Sequence, residues 1–237
     1  MLPLKDDQPR YSTPYVTWFL IALNILIFLI FLFEAALDPR SAELFVGQFG
    51  MIPSHLTGFF AGSPRYSLPQ VVIPLFTSMF LHGSWMHVLG NMWFLWIFGD
   101  NVEDYLGHFK YLVFYIVSGL IAMATQIAIY PRSNVPTVGA SGAIAGVLGA
   151  YFILYAGARV LTWFPPIFFF HIPAWVMLGY WFVFQFFTGA VTLSMTPAGK
   201  DVGGVAVWAH VGGFIAGAVM IKIFPERKRR SPYAWSR

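Results

Sequence analysis

Cysteine and charged residues are what this sequence lacks. No cysteine occurs among its 237 residues, which excludes disulfide bonds, thiolate nucleophiles and cysteine-ligated metals. Charged residues make up 10% of the chain and hydrophobic residues 58%, whereas a soluble domain carries roughly 25% charged residues to solvate its surface. So few charges cannot cover a globule of this size, and a bilayer is therefore expected as a second, apolar solvent.

Six apolar segments account for most of the hydrophobic residues. The first has no charge before Glu34 and is long enough to cross ~30 Å of hydrocarbon, whereas the second, fourth and fifth are short. Prolines interrupt a further apolar stretch, 163–170, which we interpret as part of an interfacial loop. The predicted fold class is an all-α polytopic membrane protein with six spans, over residues 15–33, 85–98, 111–130, 141–155, 174–187 and 205–224.

Basic residues in both terminal segments predict the orientation. Lys5 and Arg10 precede the first span, and residues 227–230 are all basic. The positive-inside bias therefore predicts that both termini are cytoplasmic. Such a basic run could also bind nucleic acid, but a juxtamembrane anchor is the simpler interpretation and no nucleic-acid partner is expected. The predicted organisation is a cytoplasmic segment 1–14, one membrane domain 15–224 with a long first loop 34–84 against the outer leaflet, and a basic tail 225–237.

Polar side chains inside apolar segments are costly and are therefore candidates for function. Ser141 follows Gly139 and begins the fourth segment, so it lies at a helix start, where backbone N–H groups are unpaired and can receive an oxyanion. Neighbouring glycines allow a substrate backbone to approach. A serine in a glycine-rich membrane helix is more often a packing residue or N-cap, so Ser141 alone does not establish catalysis.

His210 lies in the sixth segment, three residues before Gly213 and seven before Gly217. Glycines at this spacing pack one membrane helix closely on another, and Gly142 and Gly146 give the fourth segment a similar face. Two such faces can bring the Ser141 hydroxyl within reach of the His210 ring, as a Ser/His pair requires. A buried histidine that merely hydrogen-bonds a neighbour is the alternative.

His87 and Asn91 are four residues apart and share one face of the second helix. Both can donate hydrogen bonds toward one point and so could form an oxyanion hole, or they could simply link helices. His82, His87 and His210 could supply nitrogen ligands to a metal ion, but there is no His-Glu-x-x-His pattern and no carboxylate within a predicted span. No metal and no cofactor are expected.

Together these stretches resemble a rhomboid intramembrane serine protease of bacterial type. The matching residues run from Thr77 to His82, from Gly83 to Trp85, from His87 to Asn91 and from Gly139 to Gly142, then Ala209 and His210 with Gly213 and Gly217. The resemblance implies a six-helix rhomboid-like bundle in a bacterial inner membrane that cleaves other transmembrane proteins. Neither the oligomeric state nor the physiological substrate follows from it.

The resemblance also implies a role for each matching residue. Ser141 would be the nucleophile and His210 the general base, forming a Ser-His dyad. His87 and Asn91, with the Ser141 backbone N–H, would hold the oxyanion, and His82 would line the same cavity. The four glycines Gly142, Gly146, Gly213 and Gly217 would pack the sixth helix on the fourth, and residues 188–204 would form a mobile lid.

Two positions depart from the rhomboid pattern. Many rhomboids carry Trp-Arg before the threonine of the second-helix motif, where this chain has Ile73 and Pro74. Many also carry an aromatic residue beneath the histidine ring, where this chain has Ala145. A catalytically inactive rhomboid-like protein that binds membrane helices is therefore the alternative. A small transporter would need an internal repeat or a polar path across the membrane, and the sequence has neither.

Overall fold

The computed structural model describes residues 2–195 and 205–227. Helices α1 and α5 to α9 form a membrane bundle, and three short helices lie in the first connection. A small antiparallel sheet accompanies the bundle. The helices are α1 Tyr15–Leu37, α2 Pro39–Phe49, α3 Pro53–Phe60, α4 Leu68–Thr77, α5 Trp85–Leu106, α6 His108–Ile129, α7 Ser141–Leu154, α8 Ala174–Met195 and α9 Val207–Met220, and the strands are β1 Leu2–Asp6, β2 Arg159–Phe164 and β3 Phe168–Pro173.

The predicted polytopic helical bundle is confirmed, although its helices differ in length. Within the described ranges, α1, α6 and α8 are long and apolar enough to cross a membrane, and a fourth span results if α4 and α5, bent by 75°, count as one. Helices α7 and α9 have 14 residues each, or about 21 Å at 1.5 Å per residue. They are shorter than the ~30 Å hydrocarbon core of a bilayer.

The first connection, predicted as a loop, is largely helical. Helix α2 starts with Pro39, and the side chain of Asp38 accepts a hydrogen bond from the N–H of Arg40 at 2.9 Å. Ser67 and Gln70 form the corresponding cap of α4. Helices this short are specified by caps and starting prolines rather than by a long apolar run, and hydropathy therefore does not reveal them.

Residues 163–170, predicted as an interfacial loop, belong to a β-hairpin. Strand β2 pairs with β3, and β1 from the N-terminal segment pairs with β2 on its other side, so the sheet order is β1-β2-β3. The prolines that argued against a helix occupy the turn between β2 and β3. No strand was predicted in the N-terminal segment, because its pairing partner lies about 160 residues away in the sequence.

A buried carboxylate joins three helices at the end of the bundle near the N-terminus. Glu103 of α5 accepts hydrogen bonds from the N–H groups of Val16 and Thr17 at 2.9 and 2.8 Å and from the Thr17 hydroxyl at 2.7 Å. It also contacts His108 Nδ1 at 2.6 Å. A carboxylate at a helix N-terminus satisfies unpaired N–H groups and complements the helix dipole. Because Glu103 has these partners, α5 continues eight residues beyond its predicted end.

Replacing Glu103 with alanine should destabilise the bundle strongly. The change leaves two backbone N–H groups and a hydroxyl in the first turn of α1 without their acceptor, and each buried donor left unsatisfied costs about 1–3 kcal/mol. Unfolding by heat or by sodium dodecyl sulfate titration in detergent measures the effect. Glu43→Ala on the exposed face of α2 is the control and should change stability by less than about 0.5 kcal/mol. Equal stability of both variants would contradict this role of Glu103.

Candidate active site

Ser141 is the first residue of α7, at the end of a tightly held loop. Thr137 and Met51 exchange two backbone hydrogen bonds of 2.7 and 3.1 Å, and the N–H of Gly139 donates to the Ser78 carbonyl at 2.8 Å. Because the helix begins at Ser141, the N–H of Ser141 has no partner within the helix. It is available to an external acceptor at this position.

Position 139 requires glycine, both because of its backbone conformation and because a side chain would not fit there. Its φ is +126°, in a region that residues with a side chain rarely adopt. A Cβ at this position would lie 2.7 Å from the imidazole Nε2 of His87 and 3.6 Å from the Ser141 hydroxyl. The His87 ring therefore covers the glycine directly beside Ser141.

Glycine contacts bring α7 and α9 together. A Cβ on Gly213 would collide with the carbonyl oxygen of Gly142, and a Cβ on Gly217 with the carbonyl oxygen of Gly146. Gly142 in turn lies against Ala122 of α6. All ten residues from 142 to 151 of α7 are buried, so α7 is the centre of the bundle.

His210 is buried on α9 and is held by α8. Its Nδ1 lies 2.9 Å from Oε1 of Gln185, and its ring lies 5.7 Å from the ring of Trp181, at an angle of 34°. Gln185 and Trp181 are one helical turn apart on α8 and so approach the imidazole from the same helix. Among the described residues, no hydrogen bond joins His210 to Ser141.

One cavity nevertheless brings the candidate residues together. Its volume is about 570 Å³, and it lies at the starts of α5, α7 and α9. Ser141, His210, His87 and Asn91 all line it. Gln126 of α6 lines it too, and the side-chain oxygen of Gln126 has no hydrogen-bond partner among the described residues.

His82 lies behind the cavity wall rather than in it. It is buried, with its Nε2 2.9 Å from the amide nitrogen of Asn91 and its ring 4.9 Å from the ring of His87. An asparagine amide carries two N–H groups, so one remains for the cavity when the other is used by His82. The contacts of His82 therefore orient the two candidate oxyanion donors.

The part of the chain that forms the cavity also matches a known protein family. A family model for the Rhomboid domain matches residues 69–227. The chain belongs to the rhomboid family. The match includes α4 to α9, and hence every residue that lines the cavity.

Similar proteins are found in eukaryotic organelles. The rhomboid is 39% identical over 71 residues to Rhomboid-like protein 11, chloroplastic, of Arabidopsis thaliana, covering 30% of this chain and 25% of that protein. It is 29% identical over 154 residues to Rhomboid protein 1, mitochondrial, of Saccharomyces cerevisiae, covering 62% and 40%. A third relative, Presenilin-associated rhomboid-like protein, mitochondrial, of Bos taurus, is 28% identical over 133 residues, covering 54% and 35%.

These relatives correct the predicted type and location. The sequence suggested a bacterial-type rhomboid in a bacterial inner membrane, whereas these relatives are mitochondrial and chloroplastic, so neither expectation is supported. The chain matches two fifths or less of the length of each of these relatives. The membrane location itself is supported by the family and by the apolar helices.

The two departures from the rhomboid pattern have structural explanations. Ala145 is buried on α7, and Trp181 of α8 provides the aromatic contact to His210 in this rhomboid. Pro74 lies inside α4, and the Thr77 hydroxyl donates to the Phe49 carbonyl at 2.7 Å. The first connection is therefore fixed by a backbone contact, without the Trp-Arg pair.

Sequence reasoning missed Gln185, Trp181 and Gln126 at this site. Each glutamine is a polar residue inside a predicted apolar segment, and this position alone could have marked it as a candidate for function. Nothing in the sequence distinguishes Trp181 from the eight other tryptophans of the chain.

The predicted lid, residues 188–204, overlaps the last turns of α8, and residues 196–204 lie outside the described residues. Within those described, no group of three His, Asp or Glu side chains could hold a metal ion.

Alanine at Gly213 or Gly217 should separate α7 from α9. The new methyl group meets a backbone carbonyl that cannot rotate away, and such overpacking costs about 1–3 kcal/mol. Unfolding in detergent should show lower stability for both variants. Gly90→Ala on α5 is the matched control, because its Cβ would meet nothing within 4 Å; it should keep or raise stability. Wild-type stability of Gly213→Ala and Gly217→Ala would show that the close packing is not needed.

Proposed function

We propose that this protein is an intramembrane serine endopeptidase that cleaves transmembrane segments of other membrane proteins. One observation carries the proposal: Ser141 at a helix N-terminus and His210 line one cavity with two further donors, His87 and Asn91. The rhomboid family acts on membrane proteins within the bilayer. Both reacting groups lie at the starts of short helices, in a recess that water can enter.

The chemistry is acyl transfer in two steps. His210 takes the proton of Ser141, and Oγ attacks the carbonyl carbon of a substrate peptide bond, giving a tetrahedral oxyanion. His210 then gives that proton to the nitrogen of the leaving amine, and the C–N bond breaks to leave an acyl-enzyme. Water, deprotonated by His210, attacks the ester; the acid product leaves and Ser141 recovers its proton.

The oxyanion needs donors that are already in position. His87, the remaining N–H of Asn91 and the backbone N–H of Ser141 supply them in this proposal. Ser141 and His210 are not hydrogen-bonded to each other in the described residues, which is common for catalytic pairs before substrate binds.

The substrate must expose a peptide carbonyl before it can be cut. In a transmembrane helix every backbone carbonyl is bonded within the helix, so local unwinding precedes attack. Segments with glycine or helix-breaking residues near the scissile bond are therefore the expected substrates.

We infer the orientation of the bundle from its charges. Arg10 lies 3.6 Å from Asp100, and the N–H of Arg227 donates to the Tyr105 carbonyl at 2.7 Å. Arg10 and Arg227 thus lie at the end of α5 opposite the cavity. By the positive-inside rule this end faces the compartment from which the protein is inserted, and the cavity opens to the other side.

A catalytically inactive, helix-binding rhomboid is the second candidate. The absence of a hydrogen bond between Ser141 and His210 among the described residues favours it. Such a protein would hold a membrane helix against the cavity without cutting it, and would not require the serine and histidine together.

Cleavage of a single-span substrate in liposomes tests the proposal. Wild type should produce two fragments, and both Ser141→Ala and His210→Ala should reduce the rate by about 10³-fold or more, because nucleophile and base act as a unit. His171→Ala, which changes an exposed histidine outside the cavity, should cleave at the wild-type rate.

Two outcomes would contradict the protease proposal. Cleavage that persists in Ser141→Ala would assign it to another group or to a contaminant. Binding of the substrate by wild type without any fragments, over a panel of spans with and without central glycine, would support the helix-binding candidate instead.

A further inference from the structure

The contact between α8 and His210 has a consequence for the proposed base. A neutral imidazole carries one proton, and the hydrogen bond made by one nitrogen decides the role of the other. The Nδ1 of His210 lies 2.9 Å from the side-chain oxygen of Gln185, which can only accept. With the Gln185 amide in this orientation, the proton resides on Nδ1 and Nε2 keeps the lone pair.

We propose that Gln185 is a positioning residue that holds His210 in the tautomer and orientation needed for it to act as base. The inference rests on the protease function proposed above. Gln185 takes the place that a carboxylate occupies in a Ser-His-Asp triad, but with a neutral oxygen suited to a buried position. Trp181, one turn earlier on α8, packs against the same ring and restricts its rotation.

The location of Gln185 agrees with this role. Its side chain is buried, although α8 otherwise exposes much of its surface and belongs to the outer part of the bundle. A buried amide in an apolar span is costly unless it is hydrogen-bonded, and His210 is its partner. Since Ala145 of α7 gives the ring little support, α8 supplies both the hydrogen bond and the aromatic contact.

Gln185→Leu and Gln185→Glu form the decisive pair of variants. Leucine keeps the volume but removes the acceptor, so kcat should fall about 10–100-fold, as for other residues that orient a reactive histidine, while KM should change less than about twofold. Glutamate retains an oxygen acceptor and should recover a substantial part of the loss. Asn24→Leu, which removes a buried amide on α1, is the control and should keep the wild-type kcat in the folded fraction.

A second measurement separates positioning from simple stability. ¹⁵N chemical shifts of selectively labelled histidine, with His210 assigned by difference from His210→Ala, report which ring nitrogen carries the proton. Wild type should show the Nδ1–H form and Gln185→Leu a mixture. A wild-type kcat in Gln185→Leu, or an unchanged tautomer in that variant, would overturn this inference alone. Absence of cleavage by wild type would instead overturn the protease proposal, while the tautomer would still test the contact.

A separate inference concerns the β-hairpin, whose polarity changes along its length. At its base, the N–H of Arg159 donates to Asp7 at 2.9 Å, and burial raises the pKa of the neighbouring Asp6 carboxyl. At its tip, four consecutive apolar residues from Ile167 to Phe170 are each more than half exposed. Successive residues of a strand point to opposite faces, so the tip is apolar on both faces.

The apolar end of the sheet lies at the depth of the membrane helices. The carbonyl of Pro3, in β1, accepts a hydrogen bond of 2.6 Å from the indole of Trp93. Trp93 is only two residues beyond Asn91, which lines the cavity. Pro3 also borders a small apolar recess with Phe94 of α5 and Trp181 of α8. The sheet therefore runs beside α5 and α8, with its polar end near the end of the bundle.

We infer that the hairpin tip is immersed in the lipid leaflet beside α5 and α8, with acyl chains as its partner. Residues 160–199 contain no Asp, Glu, Lys or Arg, and β3 continues directly into α8, whose exposed Trp175 and Tyr180 face the same bilayer. A hairpin tip that is apolar on both faces exposes apolar surface unfavourably in water, whereas lipid chains can contact both faces. The sheet thereby anchors the N-terminal segment in the membrane.

Single cysteines test the depth of the hairpin, because the native chain has none. An environment-sensitive fluorophore is attached at Phe169→Cys at the tip, at Arg159→Cys at the base and at Ile215→Cys on the exposed face of α9, in phosphatidylcholine vesicles. Nitroxide-labelled lipid should quench the Phe169 and Ile215 positions strongly, and aqueous iodide should quench only Arg159. Phe170→Cys, on the other face of the strand, should match Phe169. Iodide quenching at both tip positions, equal to that at Arg159, would overturn the inference.

Discussion

Contact between glycine Cα atoms on α9 and backbone carbonyls on α7 is the constraint on which the rest of the structure depends. Gly213 lies on the carbonyl of Gly142, and Gly217 on that of Gly146. In a bilayer, lipid chains compete for every apolar contact, so helices associate through close packing of this kind rather than through hydrophobic burial. The contact places the start of α7 beside the first turn of α9, and with it Ser141 beside His210. Side chains at these positions would hold the two helices apart.

The second constraint is helix length. Helices α7 and α9 are shorter than the hydrocarbon core of a bilayer, and the cavity lies at their first residues, where it is lined by Ser141 and His210. The paired backbones of Met51 and Thr137 fix the first connection against the loop that lines this cavity. At the opposite end of the bundle, Glu103 joins α1, α5 and α6. The buried Glu103 contacts thus hold one end of the bundle together, and the cavity lies at the other end. This arrangement suits the proposed hydrolysis of a peptide bond inside a membrane.

Much of this arrangement was predictable from the sequence for physical reasons. Apolar runs identify spans because the bilayer demands them, and glycines at spacings of four predicted the close faces of α7 and α9. The caps of α2 and α4 and the pairing of β1 with β2 were not predicted, since short helices and long-range strand pairs leave little periodic signal. Gln185 and Trp181 were missed because their importance comes from one buried contact with a different helix. The catalytic roles of Ser141, His210, His87 and Asn91 stay predictions.

The central claim is that Ser141 is a nucleophile activated by His210. The most direct measurement is labelling of the membrane-reconstituted protein with a fluorophosphonate, followed by mass spectrometry of its peptides. We expect a single modification on Ser141 in wild type and none in His210→Ala, even though the serine is still present. Labelling at another residue, equal labelling of Ser141 with and without His210, or no labelling of the folded wild-type protein would contradict it.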